Sequence, residues 1–209
     1  MIIDKYEDII KFNEINLEEY KNVKSITNYR EFESKIDPLK KIKIQTNCYE
    51  DEHIFFTYNN MLHRIDGPAS FSSHYYDGIF DISYYQNGVN YNPNGKCSRI
   101  KYDDFGDAIY AHITNEKGLI SNVNGPAIAL LCNGKYLYKF YICGIFFTEQ
   151  EFKKTINKVK NEILIKNINR YKDINKLKVF KEIAKSLNYN ELIEKIDDSI
   201  LILKLQNKI

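Results

Sequence analysis

HRIDGPA at residues 63–69, followed by YYQNG at residues 84–88, is the pattern on which the rest of this sequence is built. A second copy reads NVNGPA at residues 122–127 and FYICG at residues 140–144, and a degenerate copy between them begins with YNPNG at residues 91–95. The glycines of the three copies recur every 26 to 30 residues, at Gly67, Gly78 and Gly88, then Gly95, Gly106 and Gly118, then Gly125, Gly134 and Gly144. A fixed period of this length is typical of stacked supersecondary units.

The repeats carry turn signals between short β-prone runs at residues 79–85 and 135–141. Asn-Gly pairs supply the positive φ that tight hairpin turns require. Four such pairs lie at residues 87–88, 94–95, 124–125 and 133–134. We expect Gly67 and Gly125 to adopt positive φ too, so that valine at either position would destabilise the fold.

The Gly-Pro-Ala steps at residues 67–69 and 125–127 favour an architectural role. Proline fixes φ and lacks an amide donor, so a strand can only begin there. The alanine that follows leaves room for the backbone of a neighbouring unit. Because a single hairpin is marginal in water, the units are expected to stack and bury their aromatic faces.

The chain divides into three predicted regions and an α+β fold. Residues 1–47 form an N-terminal α/β cap with short helices, residues 48–147 form a central antiparallel sheet of stacked hairpin repeats, and residues 148–209 are helical. In the cap, Asn28 and Glu31 fit a helix start, and alternation at Ile42 and Ile44 predicts a strand. An earlier helix is predicted from Ile9, Ile10 and Phe12.

The C-terminal region begins with a capping box, in which Thr148 and Glu151 are spaced to satisfy each other's backbone amides. Apolar residues at helical spacing predict three amphipathic helices. Their apolar positions are Phe152, Ile156, Val159 and Ile163, then Ile174, Leu177, Phe180, Ile183, Ala184 and Leu187, then Leu192, Ile193, Ile196, Ile200 and Leu203.

Composition sets broad limits on function. With 209 residues, 44% of them hydrophobic, the chain can bury a substantial core, and its net charge of +2 creates no global field toward nucleic acid or membrane. Four cysteines without a C-x-x-C pair favour reduced thiols. No apolar run approaches the length of a spanning helix, so we expect a cytoplasmic protein that does not insert into membranes.

The His-Arg-x-Asp-Gly-Pro-Ala step followed by Tyr-Tyr-x-Asn-Gly resembles the longer variant of the MORN repeat, found in proteins of large DNA viruses of amoebae and of some bacteriophages. The resemblance covers about residues 55–147. The matching positions are His63, Arg64, Asp66, Gly67, Pro68, Ala69, Tyr84, Tyr85, Asn87 and Gly88, then Asn124, Gly125, Pro126, Ala127, Tyr141 and Gly144. The later copies replace the His-Arg pair by Tyr91-Asn92 and Ser121-Asn122.

This resemblance implies hairpins laid side by side in an elongated sheet with a groove, used as a scaffold for proteins and sometimes proposed to contact lipid. It implies no catalytic residues. If the protein is viral, the host cell cytoplasm is its expected location.

The leading functional prediction is a non-enzymatic adaptor that docks a host or viral protein through the repeat sheet or the C-terminal helices. Desolvated aromatic anchors would carry the binding energy. In the run at residues 135–141, Tyr136, Tyr138 and Phe140 alternate with other residues and share one face. The candidate partner-binding residues are Tyr84, Tyr85, Tyr136, Tyr138, His63 and Arg64.

The alternative prediction is nucleic-acid binding by the basic C-terminal helices. Residues 153–185 carry eleven basic and three acidic residues, a net charge of +8. Lysines and arginines of this kind contact phosphates, and such binding weakens steeply with salt. The candidate residues are Lys153, Lys154, Lys158, Lys160, Lys166, Arg170, Lys172, Lys176 and Lys178.

Catalytic and metal sites are weaker hypotheses. His63, Arg64 and Asp66 could bind an anion or move a proton, but their place in the repeat pattern favours turn chemistry. The acidic stretch at residues 50–53 has no further histidine at a spacing that a metal centre would use. We therefore predict no cofactor, no metal and no enzymatic activity.

Overall fold

The structure, a computed structural model, describes residues 17–46, 51–74, 78–160 and 163–206. The chain forms two compact units. Unit 1 comprises Met1–Leu119 and Ile128–Tyr138, and unit 2 comprises Ile120–Ala127 and Lys139–Ile209. Strands dominate unit 1, whereas helices dominate unit 2, so the predicted α+β class is confirmed.

Unit 1 is an antiparallel sheet built from successive hairpins. Its described strands are β1 (Tyr20–Ile26), β2 (Tyr29–Ser34), β3 (Lys40–Thr46), β4 (Glu52–Tyr58), β5 (Met61–Leu62), β6 (Ser70–His74), β7 (Ile79–Ser83), β8 (Tyr85–Gln86), β9 (Val89–Asn90), β10 (Arg99–Tyr102), β11 (Ala108–His112), β12 (Ile128–Cys132) and the first residues of β13 (Lys135–Ile142). They lie in the order β1-β2-β3-β4-β6-β7-β10-β11-β12-β13, with β5 on β4 and with β8 and β9 as a separate pair.

Residues 20–34 form a hairpin rather than the helix predicted to begin at Asn28. Asn28 lies in the two-residue turn between β1 and β2, where Ile26 pairs with Tyr29, and the Asn28 carbonyl accepts a hydrogen bond from the Thr46 amide at 3.0 Å. In β2, burial alternates with a period of two, and Phe32 pairs with Ile42 of β3. Cross-strand packing at this period therefore prevails over the local cap signal. The predicted strand through Ile42 and Ile44 is confirmed, whereas the helix predicted at Ile9, Ile10 and Phe12 lies outside the described residues.

One backbone hydrogen bond recurs in all three repeats, with donors spaced 29 residues apart. In each repeat, the amide of a fully buried small residue donates to a carbonyl of a following strand. The three bonds run from Ala69 to Ser83 at 2.9 Å, from Ser98 to His112 at 2.8 Å, and from Ala127 to Lys139 at 2.9 Å. The small residues predicted at Ala69 and Ala127 thus permit close backbone approach, and Ser98 does so in the degenerate copy.

The four Asn-Gly pairs adopt different backbone conformations. Both residues have positive φ at 87–88 and 133–134, which form two-residue hairpin turns, whereas at 94–95 only the glycine does. Neither Gly125 nor Gly67 has positive φ, so the expectation for these two glycines is wrong. At residues 122–126 the Asn122 side chain closes the loop instead, accepting from the Asn124 amide at 3.0 Å and donating to the Pro126 carbonyl at 2.8 Å.

The core of unit 1 lies on one face of the sheet. Its larger cluster joins strands β6, β7, β10 and β11, and a smaller cluster joins β2 and β3. The buried members are Phe71, Ile82, Tyr84, Cys97, Ile100, Tyr102, Ala108, Ala111 and Ile113, then Phe32, Ile42 and Ile44.

Unit 2 contains the end of β13, strand β14 (Ile145–Phe147) and four described helices. These are α1 (Glu149–Lys160), α2 (Ile163–Asn167), α3 (Ile174–Ser186) and α4 (Asn190–Gln206), with a 3-10 turn at Ile168–Arg170. The predicted capping box is confirmed, because the Thr148 amide donates to Glu151 Oε2 at 2.9 Å and the Glu151 amide donates to Thr148 Oγ1 at 3.3 Å. The buried core includes Phe152, Val159, Leu177, Phe180, Ile183, Leu192 and Ile196.

Candidate functional surfaces

Three consecutive large side chains on β13 are exposed in unit 1. Tyr136, Leu137 and Tyr138 keep 39%, 54% and 54% of their surface accessible. The two tyrosine rings stack with their centroids 6.1 Å apart, and the Tyr136 hydroxyl donates to the Ala108 carbonyl at 2.8 Å. That hydrogen bond holds the Tyr136 ring in place, and partial burial raises the pKa of its hydroxyl. The result is a preordered aromatic surface.

The backbone beneath these side chains pairs with β12 on one side, and its other edge is only partly covered. Strand β14 pairs only with Phe140–Ile142 of β13, so it does not extend along Lys135–Tyr138. An incompletely paired strand segment with exposed aromatic residues is a common place for another chain to bind.

The other two tyrosines predicted as anchors are placed differently. Tyr84 is only 9% exposed, belongs to the core of unit 1, and donates its amide to the Ser98 carbonyl at 2.8 Å. It is therefore a core residue and not an exposed anchor, because it faces the same core as Ile82 two residues earlier. Tyr85 is half-buried in β8, and its carbonyl accepts from the Arg64 amide at 3.2 Å.

His63 and Arg64 lie together in a cleft of unit 1 with a volume of about 580 Å³. The Arg64 guanidinium lies 4.0 Å from the centre of the Phe56 ring, and its Nε donates to Asp66 at 3.0 Å. The Asp66 pairing considered from the sequence is thus present. The remaining lining residues are Glu19, Tyr20, Asp37, Lys40, Lys41, Thr57, Tyr58, Ile65 and Asn87. The sequence pattern did not reveal Tyr20 or Tyr58, because neither belongs to the repeated motif.

The histidine of this cleft has a structural role that recurs in another repeat. His63 Nδ1 accepts the Asn87 amide at 3.1 Å, which assigns the ring proton of a neutral His63 to Nε2. In unit 2, Ser121 Oγ accepts the Cys143 amide at 3.0 Å in the same way. The replacement of histidine by serine in the later copy therefore preserves the turn contact.

A polar row crosses the opposite face of the unit 1 sheet, and the sequence analysis did not identify it. Asp81 pairs with Arg99 at 2.6 Å and with Lys101 at 3.4 Å. Next to them, His112 contacts the Tyr110 hydroxyl at 2.7 Å and Asn90 Oδ1 at 3.0 Å. The alternation of side chains between the two faces of strands β7, β10 and β11 is the sequence signal that could have revealed this row.

Burial sets the protonation of the histidine in this row. Burial and, to a smaller extent, the Arg99 charge lower the pKa of His112, Asp81 opposes both effects, and the result is a pKa of about 4. His112 is therefore neutral near pH 7.

Two of the candidate basic side chains of the helices contact other groups of unit 2. Lys153 pairs with Glu149 at 2.6 Å, and Lys158 lies 4.8 Å from the centre of the Tyr171 ring. Exposed positions are occupied by Lys154, Lys160, Lys166, Arg170, Lys172, Lys176 and Lys178. Helix α4 carries four acidic and two basic residues, and its Asp197 pairs with Lys181 of α3 at 2.6 Å. These acids reduce the positive field of unit 2.

The described residues also bear on metal binding and on membrane spanning. In residues 17–46, 51–74, 78–160 and 163–206, no three His, Cys, Asp or Glu side chains lie close enough to hold a metal ion. Of the acidic stretch considered above, Glu50 lies outside the described residues, and His53 Nδ1 contacts Ser72 Oγ at 2.7 Å. No helix in the described chain combines the length and the apolar character needed to cross a membrane.

Comparisons of the chain with family models, with curated proteins and with solved structures find no match.

Proposed function

We propose that this chain is a non-enzymatic adaptor that binds another protein through the Tyr136–Tyr138 surface of its repeat sheet. The observation that carries this proposal is the exposure of Tyr136 and Tyr138 on one face of β13, where their rings stack and the Tyr136 hydroxyl is held by the Ala108 carbonyl. Aromatic side chains ordered before binding lose little conformational entropy on docking and bury a large area. The resemblance of the repeats to those of viral proteins makes a host or viral protein in the host cytoplasm the expected partner.

The side chains considered above for proton transfer or anion binding, His63 and Arg64, make structural contacts within the chain, which supports a binding role over a catalytic one. His63 holds the Asn87 amide, and Arg64 stacks on Phe56 and pairs with Asp66. Each of these contacts shapes the loop itself.

The test is affinity capture of a partner from lysate of the natural host with the tagged chain and two serine variants. Tyr138→Ser removes an exposed ring from the proposed surface. Phe105→Ser is the matched control, because Phe105 is 85% exposed elsewhere in unit 1. We expect Tyr138→Ser to lose the partner and Phe105→Ser to retain it. Equal recovery with both variants would contradict docking at this surface.

Nucleic-acid binding by unit 2 is the second candidate, favoured by the exposure of Lys154, Lys166, Arg170 and Lys172. The stacking of Lys158 on Tyr171 and the acidic residues of α4 weigh against it, because phosphate binding requires an accessible, continuous positive surface.

A further inference from the structure

A groove of about 330 Å³ lies within unit 2, between helices α1 and α3. Apolar side chains form its floor and polar side chains its rim. The floor consists of Val123, Phe152, Ile156, Ile183 and Leu187, and the rim consists of Asn124, Lys153, Asn157, Lys160 and Ser186.

The floor contains apolar surface that the fold does not cover fully. Phe152 and Ile183 are buried in the core of unit 2, whereas Val123, Ile156 and Leu187 are only half-buried. The volume lies at the lower end of the range for ligand sites, about 300–1,000 Å³. It therefore suits one or two apolar side chains of a partner and not a large ligand.

The charge at the rim has one sign. Two of the ten lining residues are lysines and none is acidic. Lys153 and Lys160 are seven residues apart on α1, which places them two turns apart, about 10.5 Å along the helix axis. Lys153 makes an exposed pair with Glu149 that water screens, and no carboxylate in the described part of the chain pairs with Lys160.

We propose that this groove binds an acidic amphipathic segment of a partner protein. One or two apolar side chains of the segment contact Ile156 and Leu187, and flanking carboxylates lie near Lys153 and Lys160. The net charge of +8 over residues 153–185 increases the rate of encounter with such a segment. The inference rests on the proposed binding function but uses a different surface from Tyr136–Tyr138.

The apolar floor distinguishes this occupant from nucleic acid. A phosphate backbone needs a continuous row of cations and makes no use of half-buried Ile156 and Leu187. An amphipathic helix or strand uses both features, because its apolar side chains enter the groove while its charges remain at the rim.

The experiment measures binding of the fluorescent peptide EELFEELLEE to the full-length chain by fluorescence anisotropy. Two control peptides separate the contributions, because KKLFKKLLKK reverses the charge and EESSEESSEE removes the apolar side chains. Lys160→Glu changes the rim, and Lys172→Glu makes the same charge change at an exposed residue outside the groove. A single-stranded DNA oligonucleotide provides the nucleic-acid arm.

We expect EELFEELLEE to bind and both control peptides to bind at least about tenfold more weakly. Lys160→Glu should weaken binding by about tenfold and Lys172→Glu by less than about twofold. The proposal would be overturned if EELFEELLEE does not bind, if the two variants weaken it equally, or if the oligonucleotide binds more tightly than the peptide. Because these measurements do not involve Tyr138, their failure is distinguishable from failure of the adaptor surface.

Discussion

Two glycines of the repeat pattern differ in backbone conformation and in the space available for a side chain. Gly78 has a φ of +60°, and a Cβ built there would lie 2.4 Å from Asp104 Cβ. Gly125 is not left-handed, and the nearest atom to an added Cβ is Asn122 Nδ2 at 3.9 Å. We expect Gly78→Ala to destabilise the fold by about 1–3 kcal/mol because of backbone strain and overlap.

Gly125→Ala is the matched control and should be neutral or stabilising by up to about 1 kcal/mol, because it restricts the unfolded chain. Urea denaturation of both variants measures the difference. Equal losses of stability would show that the loop at residues 122–126 depends on its glycine rather than on Asn122.

His112 makes stability depend on pH. Its pKa is 6.5 when unperturbed and about 4 in the folded state, so between these values the unfolded chain binds a proton that the folded chain excludes. The free energy of unfolding is unaffected by His112 above about pH 6.5 and decreases as the pH drops toward 4. The total decrease is about 2–4 kcal/mol.

His112→Gln should remove this part of the pH dependence while lowering stability at pH 7, because contacts with Tyr110 and Asn90 are altered. Unfolding free energies of both proteins at pH 7, 6 and 5 provide the check. The same slope in wild type and variant would refute the assignment of a buried neutral His112.

At the scale of elements, the repeated hydrogen bond depends on a small side chain at the start of each repeat strand. Ala69 donates to the Ser83 carbonyl and accepts from the Phe56 amide at 2.8 Å, and it is fully buried. Ala69→Val should therefore cost about 1–3 kcal/mol through overpacking.

The neighbouring residue provides a control, because successive side chains of a strand point to opposite faces. Ser70→Val, at a half-buried position, should change stability by less than about 1 kcal/mol. Thermal melts of the two variants distinguish these expectations, and a Ser70→Val loss as large as that of Ala69→Val would argue against close approach at Ala69.

Elements governed by local chemistry were the most predictable from the sequence. The turns at 87–88 and 133–134 and the cap formed by Thr148 and Glu151 follow from contacts between near neighbours in the chain. Asn28 shows the limit, since the same residue fits a helix start and a hairpin turn, and pairing of Phe32 with Ile42 decides between them.

The candidate surfaces were less predictable than the elements. The alternation in β13 correctly brought Tyr136 and Tyr138 together, whereas Tyr84 was misassigned because it packs in the core with Ile82 and Ile100. The groove of unit 2 combines Val123 with side chains of α1 and α3, residues whose proximity no sequence spacing reveals.

At the scale of the whole molecule, two surfaces in different units offer binding by different physical means. The Tyr136–Tyr138 surface provides apolar aromatic area, and the groove of unit 2 provides an apolar floor with a positive rim. Two such sites on one chain would allow it to connect two partners, as an adaptor does.

The salt dependence of partner capture tests the adaptor proposal most directly. The tagged chain is incubated with lysate of its natural host at low and high salt, with and without nuclease, and the captured proteins are identified by mass spectrometry. The adaptor proposal predicts that a specific protein, absent from Tyr138→Ser captures, remains bound at high salt and after nuclease treatment, because its contacts are apolar. Recovery of nucleic acid, with every protein lost after nuclease, would contradict the proposal and favour the basic helices of unit 2 as the functional surface.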